Sequence, residues 1–161
     1  MHRVLVLGAG MVAKPLIDYL LDKGCMIKIA CNTCNNAQRI LKEHPMGEIV
    51  YWDADNTTAL KPMVKEADIV VSLLPYRFHC SVAEVCIEYK KPMVTTSYVR
   101  EEMAELDKAA RRAGVIILNE AGLDPGIDHM SAMKIIDRVQ DQGGRIEKFW
   151  SICGALPAPE Y

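Results

Sequence analysis

Gly8-Ala9-Gly10-Met11-Val12-Ala13 stands between an apolar run and a segment with helical spacing, in the pattern G-x-G-x-x-A. Gly8 permits a tight turn, Gly10 leaves the backbone open to a pyrophosphate, and Ala13 lets strand and helix pack closely. Met11 and Val12 lie at the free N–H end of the following helix, where the dipole favours phosphate. In a strand–turn–helix setting this is a dinucleotide-binding fingerprint. The second informative position in such folds falls about 20 residues on. Here the second apolar run ends Ala30-Cys31-Asn32-Thr33, with no carboxylate to repel a 2′-phosphate. Asn32 and Thr33 can hydrogen-bond that phosphate and Arg39 can reach it from the next helix, which points to NADP. Asn32 on the ribose hydroxyls of NAD is the competing assignment.

Three further segments follow apolar runs, where ligands of open α/β sheets bind. They are Ser72-Leu73-Leu74-Pro75-Tyr76, Thr95-Thr96-Ser97-Tyr98 and Asn119 through His129. Their polar groups are expected to converge on the nicotinamide half of a cofactor. The last segment includes Leu123, Asp124 and Pro125. Asp124 is equally placed to cap a helix, with Pro125 as its first residue. His79 and His129 read as helix-terminal or satisfied core groups. Cys31 and Cys34 have CxxC spacing, which suits a redox pair or half a zinc site. No second pair stands at ligand spacing, so no metal is assigned. The six cysteines are expected to be reduced thiols, several of them buried.

These residues are positioned by a regular alternation. Apolar runs at 4–7, 26–30, 48–52, 69–74, 93–96 and 115–118 read as strands. Helical spacing covers 12–21, 36–43, 57–65, 79–88, 101–113 and 127–140, with Pro62 inside the third helix. A seventh strand is expected over Ile146–Cys153. Strict β-α alternation requires crossovers, and so a Rossmann-type doubly wound parallel sheet of the α/β class. Residues 1–145 make the dinucleotide-binding domain, and 146–161 the start of a second, substrate or dimerisation domain.

The chain of 161 residues is 50% hydrophobic and 25% charged, with a net charge of −2. That supports one folded domain and excludes disorder. It gives no electrostatic footprint for nucleic acid. No apolar run is long enough to span a bilayer, and no signal or transit segment is visible, so a cytoplasmic setting is expected.

Taken together, five segments resemble the saccharopine dehydrogenase family, and most closely its glutamate-forming branch. They are Leu7 through Pro15, Ser72 through Tyr76, Thr96-Ser97-Tyr98, Gly122 through His129, and Gly154 through Glu160. The resemblance implies NAD(P)-dependent oxidation of the secondary amine of saccharopine, giving glutamate and 2-aminoadipate 6-semialdehyde. It also implies acid–base roles for Tyr98, Asp124 and Cys153. Two positions depart from the family pattern. Asn32 stands where the NADP-using branch tends to carry Arg, and Ala155 where the motif runs Gly-Gly-Leu-Pro-Ala-Pro-Glu. The resemblance also makes 161 residues too short for the whole activity, so cofactor binding with little turnover is expected. Exposed apolar surface and pairing of two copies are expected with it. A carboxynorspermidine-type dehydrogenase and a non-catalytic cofactor-binding module are the alternatives.

Overall fold

The computed structural model describes residues 1–152 and 154. Six parallel strands form one sheet: β1 (Arg3–Leu7), β2 (Met26–Cys31), β3 (Gly47–Tyr51), β4 (Ile69–Ser72), β5 (Met93–Thr95) and β6 (Ile117–Leu118). Their order is β3-β2-β1-β4-β5-β6, the dinucleotide-binding arrangement in which the strand order reverses at β1. β1 pairs on one side with β2, Val4 opposite Ile27, and on the other with β4, Val4 opposite Ile69.

Side chains of β1 alternate between two cores, as the two-residue period of a strand requires. Val4 and Val6 face α1 (Ala13–Asp22) and α2 (Asn35–Leu41), beside Ile17, Ala37 and Ile40. Leu5 and Leu7 face α3 (Thr57–Glu66) and α4 (His79–Glu88), beside Leu60, Val64, Val82 and Cys86. Burying each such leucine or isoleucine contributes about 1.5–3 kcal/mol before the entropy of ordering it. α3 starts where Asn56 caps it, the Asn side chain accepting from Ala59 N at 3.0 Å. Pro62 sits inside α3, and Leu60, Met63 and Val64 around it are all buried.

Several boundaries differ from the sequence expectation. The helix expected over 101–113 is two, α5 (Glu101–Glu105) and α6 (Asp107–Ala113). The ladder tightens between them, Leu106 N bonding Met103 O. α2 stops at Leu41 because Lys42 turns left-handed, three residues before Pro45. β4 ends at Ser72; Leu73 N still bonds Leu7 O of β1 at 2.9 Å, and the chain then runs under the glycine turn. The final helix, α7 (Ile127–Asp141), begins at the expected residue. Asp124 does not cap it, however. The capping position falls on Gly126, at φ 148°, and its N–H is held by Asp128 Oδ1 at 3.0 Å.

The seventh strand is a correction. Residues 146–152 form no ladder, and Phe149, Trp150 and Ile152 are exposed. An apolar stretch becomes a strand only beside a partner that takes up its N–H and C=O groups. Among the described residues no strand pairs with it. The thiol expectation is corrected too. Cys31 and Cys34 are joined as a disulfide, with their Cα atoms 5.6 Å apart. Cys25, Cys80 and Cys86 are free, and burial pushes the Cys86 thiol up to about 12.

Candidate cofactor groove and proton-transfer pair

The carboxyl ends of β1, β2, β3 and β4 open on one groove of about 530 Å³. Gly8 forms its floor with φ 94°, a backbone conformation that an L side chain rarely adopts, and a Cβ there would stand 3.3 Å from Leu73 O. Gly10 differs: a Cβ built on it meets no protein atom within 4 Å, so its outer side faces open space. Ala13, the first residue of α1, is fully buried, which brings the helix N-terminus down onto the strand. Asn36 fastens the turn from the first residues of α2, donating to Ala9 O at 2.5 Å and Gly10 O at 3.2 Å.

Of the residues expected to hold a cofactor, Gly8, Gly10, Asn32, Thr33, Leu73, Leu74 and Pro75 line this groove. Met11 and Val12 stand out from the N-terminal end of α1, 98% and 72% exposed. Arg39 is exposed on α2, outside the groove lining, because Ala37, Ile40 and Leu41 take the inward face. Ser72 is buried below the groove, its hydroxyl 3.0 Å from His79 Nδ1. Thr96, Ser97, Leu123, Asp124 and Pro125 lie further along, beyond β5 and β6. The sequence reading missed Trp52, Asp53, Asp55, Arg77 and Phe78, all of which line the groove. β3 reaches the groove only through its register beside β2, a tertiary fact with no local signature. Trp52 is anchored there by Nε1–H donating to Asn56 O at 2.9 Å.

His79 links the groove to the next site. Its ring is buried, with Nε2 2.9 Å from Thr95 Oγ1 and 2.8 Å from Ser97 Oγ. Burial pushes its pKa down, so it is the neutral ring that ties β4 to β5. This is the satisfied core histidine that the sequence suggested.

From Ser97 the chain carries Tyr98 outward. Glu120 N bonds Ser97 O and Ala121 N bonds Thr95 O, both at 3.1 Å, while Glu120 Oε1 accepts from Val99 N. These bonds lay the segment after β6 alongside the segment after β5. The turn then closes on itself, Gly122 N to Pro125 O and Ile127 N to Gly122 O, each at 2.9 Å. The Asp124-Pro125 peptide inside it is cis. Tyr98 and Asp124 meet as a result, the phenol donating to Asp124 Oδ1 at 2.5 Å. The two groups can share and pass on a proton, and both are exposed enough to meet a ligand.

Next to them Asp128 and His129 pair at 2.7 Å. Burial alone would raise the Asp128 carboxyl, but the bonds from His129 and Gly126 outweigh it and hold it low. The same bond raises His129. Asp124, Asp128 and His129 lie close enough to share a cation. Their atoms already serve Tyr98, Gly126 and each other. Cys153, the third residue assigned an acid–base role, lies outside the described residues, as do Ala155 through Glu160.

Comparison with known proteins decides the lineage. The saccharopine dehydrogenase NADP binding domain profile matches residues 4–118, and the saccharopine dehydrogenase C-terminal domain profile matches residues 122–161. The chain belongs to the saccharopine dehydrogenase family. It is 45% identical over 157 residues to a saccharopine dehydrogenase [NADP(+), L-glutamate-forming] of Pyricularia oryzae, covering 98% of this chain and 35% of the relative. It is 42% identical over 161 residues to the mitochondrial alpha-aminoadipic semialdehyde synthase of Rattus norvegicus, covering 99% of this chain and 17% of the relative. The solved apo saccharopine dehydrogenase (L-Glu forming) of Saccharomyces cerevisiae superposes with a TM-score of 0.86 at 41% identity, over 99% of this chain and 36% of that one. A more distant likeness, to yvaA of Bacillus subtilis at 21% identity and TM-score 0.64, shows the fold alone. The chain therefore spans about a third of the length of its fungal saccharopine dehydrogenase relatives. No helix among the described residues is long and apolar enough to cross a membrane.

Proposed function

We propose that this chain is the cofactor-binding part of an NADP-dependent, L-glutamate-forming saccharopine dehydrogenase. The observation that carries the reading is the open space over Gly10, set in a strand–turn–helix at the carboxyl edge of the sheet. Family membership supports the same cofactor. The groove suits a dinucleotide: Gly10 leaves room for the pyrophosphate beside the N-terminal end of α1, where the helix dipole favours an anion. Residues 1–145 carry this task, and residues 146–161 lead into the substrate domain.

A bound nicotinamide cofactor would supply the hydride acceptor for oxidation at the carbon beside the secondary amine of saccharopine. The nitrogen must also lose a proton as the C=N bond forms, and water must then add to that bond to release glutamate and the semialdehyde. The Tyr98–Asp124 pair takes the nitrogen's proton and returns one during hydrolysis, the carboxylate holding the phenol in place. Asp124→Asn keeps the shape and removes the base; turnover of the full-length protein is expected to fall about 10²–10⁴-fold.

Titration of the chain with NADPH tests the cofactor reading directly. Wild type is expected to bind. Gly10→Val adds bulk where the protein is empty, so it should melt at the wild-type temperature and lose binding. Equal NADPH affinity in Gly10→Val and wild type would overturn the placement of the pyrophosphate.

A further inference from the structure

The groove poses an electrostatic difficulty. A phosphorylated dinucleotide is strongly anionic, yet the β3 rim of the groove carries Asp53 and Asp55. Neither carboxylate makes an ion pair among the described residues; Asp53 Oδ1 only accepts from the Asp55 backbone at 3.1 Å. The β2 end offers Asn32 and Thr33, which are neutral, and Arg39 lies outside the lining. One basic side chain remains on the groove wall, Arg77, from the short turn Tyr76–Phe78 that follows β4.

Arg77 is placed to serve. It is exposed and makes no ion pair among the described residues, so its five donors are uncommitted to a carboxylate. Its guanidinium rests over the Phe78 ring, 4.6 Å from the centroid, which limits the conformations it must give up on binding. The turn beneath is fixed at both ends, Phe78 N to Pro75 O at 3.0 Å and Ser81 Oγ to Phe78 O at 2.9 Å. Leu73, four residues before Arg77, passes directly under Gly8, so the turn rises beside the glycine loop.

We propose that Arg77 is the phosphate-binding cation of the cofactor groove, offsetting Asp53 and Asp55. The inference rests on the NADP reading above and adds a residue to it. Two phosphates of the cofactor could supply the anion, the 2′-phosphate or the pyrophosphate. A bidentate guanidinium suits either.

NADPH and NADH titrations of wild type, Arg77→Met and Arg77→Lys decide the matter, with melting temperature recorded for each. Arg77→Met is expected to fold normally and to weaken NADPH about 10- to 100-fold, as loss of a charge-assisted contact should. Arg77→Lys should fall between it and wild type. If NADPH alone weakens, the 2′-phosphate is the ligand; if NADPH and NADH weaken alike, the pyrophosphate is. Unchanged NADPH affinity in Arg77→Met overturns the assignment and leaves that side chain to the neighbouring pocket around Tyr98. A loss in Arg39→Met with none in Arg77→Met overturns it as well. If wild type binds neither nucleotide, the cofactor reading itself fails, a result distinct from a failure at Arg77 alone.

Discussion

The two ends of the sheet are built on different terms. From β2 across β1 to β4 the strands are buried under helices on both faces. At the far edge, β6 is a two-residue strand, Ile116 and Leu118 are 71% and 51% exposed, and α7 buries none of its fifteen residues. The first region holds its shape by side-chain packing and presents the cofactor groove. The second holds the Tyr98–Asp124 pair by backbone hydrogen bonds between two loops, with Ile127, Met130, Met133 and Ile135 of α7 uncovered. The candidate groove thus rests on the core, while the Tyr98–Asp124 contact rests on a thinner support whose apolar face still has surface to bury.

The largest expected effect that could break this contrast is in the core. Ile29→Ala empties a fully buried site in β2 and should cost about 2–5 kcal/mol in urea unfolding. A loss as small as that of a surface substitution would mean the packed region is not what holds the fold. Next comes the glycine turn. Gly8→Ala forces a side chain into a left-handed backbone and should cost about 1–3 kcal/mol, while Gly10→Ala should change stability little and affect nucleotide binding instead. Equal destabilisation by the two would erase the distinction between folding and binding glycines.

A third effect reads the link between the regions. His79 has its pKa lowered by burial, so the unfolded chain takes up its proton first as pH falls. Its contribution is therefore intact above the unfolded value of about 6.5 and is lost as pH drops through the lower, folded pKa. His79→Gln should flatten that part of the stability–pH curve, measured by thermal unfolding between pH 7 and pH 5. The smallest effect belongs to the bare helix. Ile135→Ser on α7 should shift stability by less than about 0.5 kcal/mol. A cost like that of Ile29→Ala would show that α7 is covered in solution.

The sequence disclosed what is local. β1 and its glycine turn follow from a four-residue apolar run meeting two glycines, and the strand–helix alternation fixes a parallel sheet. The Tyr98 and Asp124 segments were recognisable as loops beyond strands, although only the Ser97–Glu120 backbone bond explains why they touch. Asp53 and Trp52 escaped because β3 reaches the groove through tertiary register, not spacing, and Arg77 because it stands one residue past the Ser72–Tyr76 segment read as a binding loop. The position of Arg39 was readable in hindsight: a period of 3.6 that buries Ala37, Ile40 and Leu41 turns Arg39 outward. The apolar stretch at 146–152 misled because composition names a candidate strand and cannot name its neighbour.

The position of β1 has a consequence for how the chain is made. It is made before the other five strands of its sheet, yet one of its two flanking partners, β4, begins at Ile69, opposite Val4. The Arg3–Asp68 contact at the base of that pairing closes a separation of 65 residues. Synthesis proceeds at roughly 5–20 residues per second. For several seconds, then, β1 has β2 on one side and an open edge on the other. The nascent chain passes through a stage when its eventual centre is its most adhesive border, and only the arrival of β4 turns that border into a core.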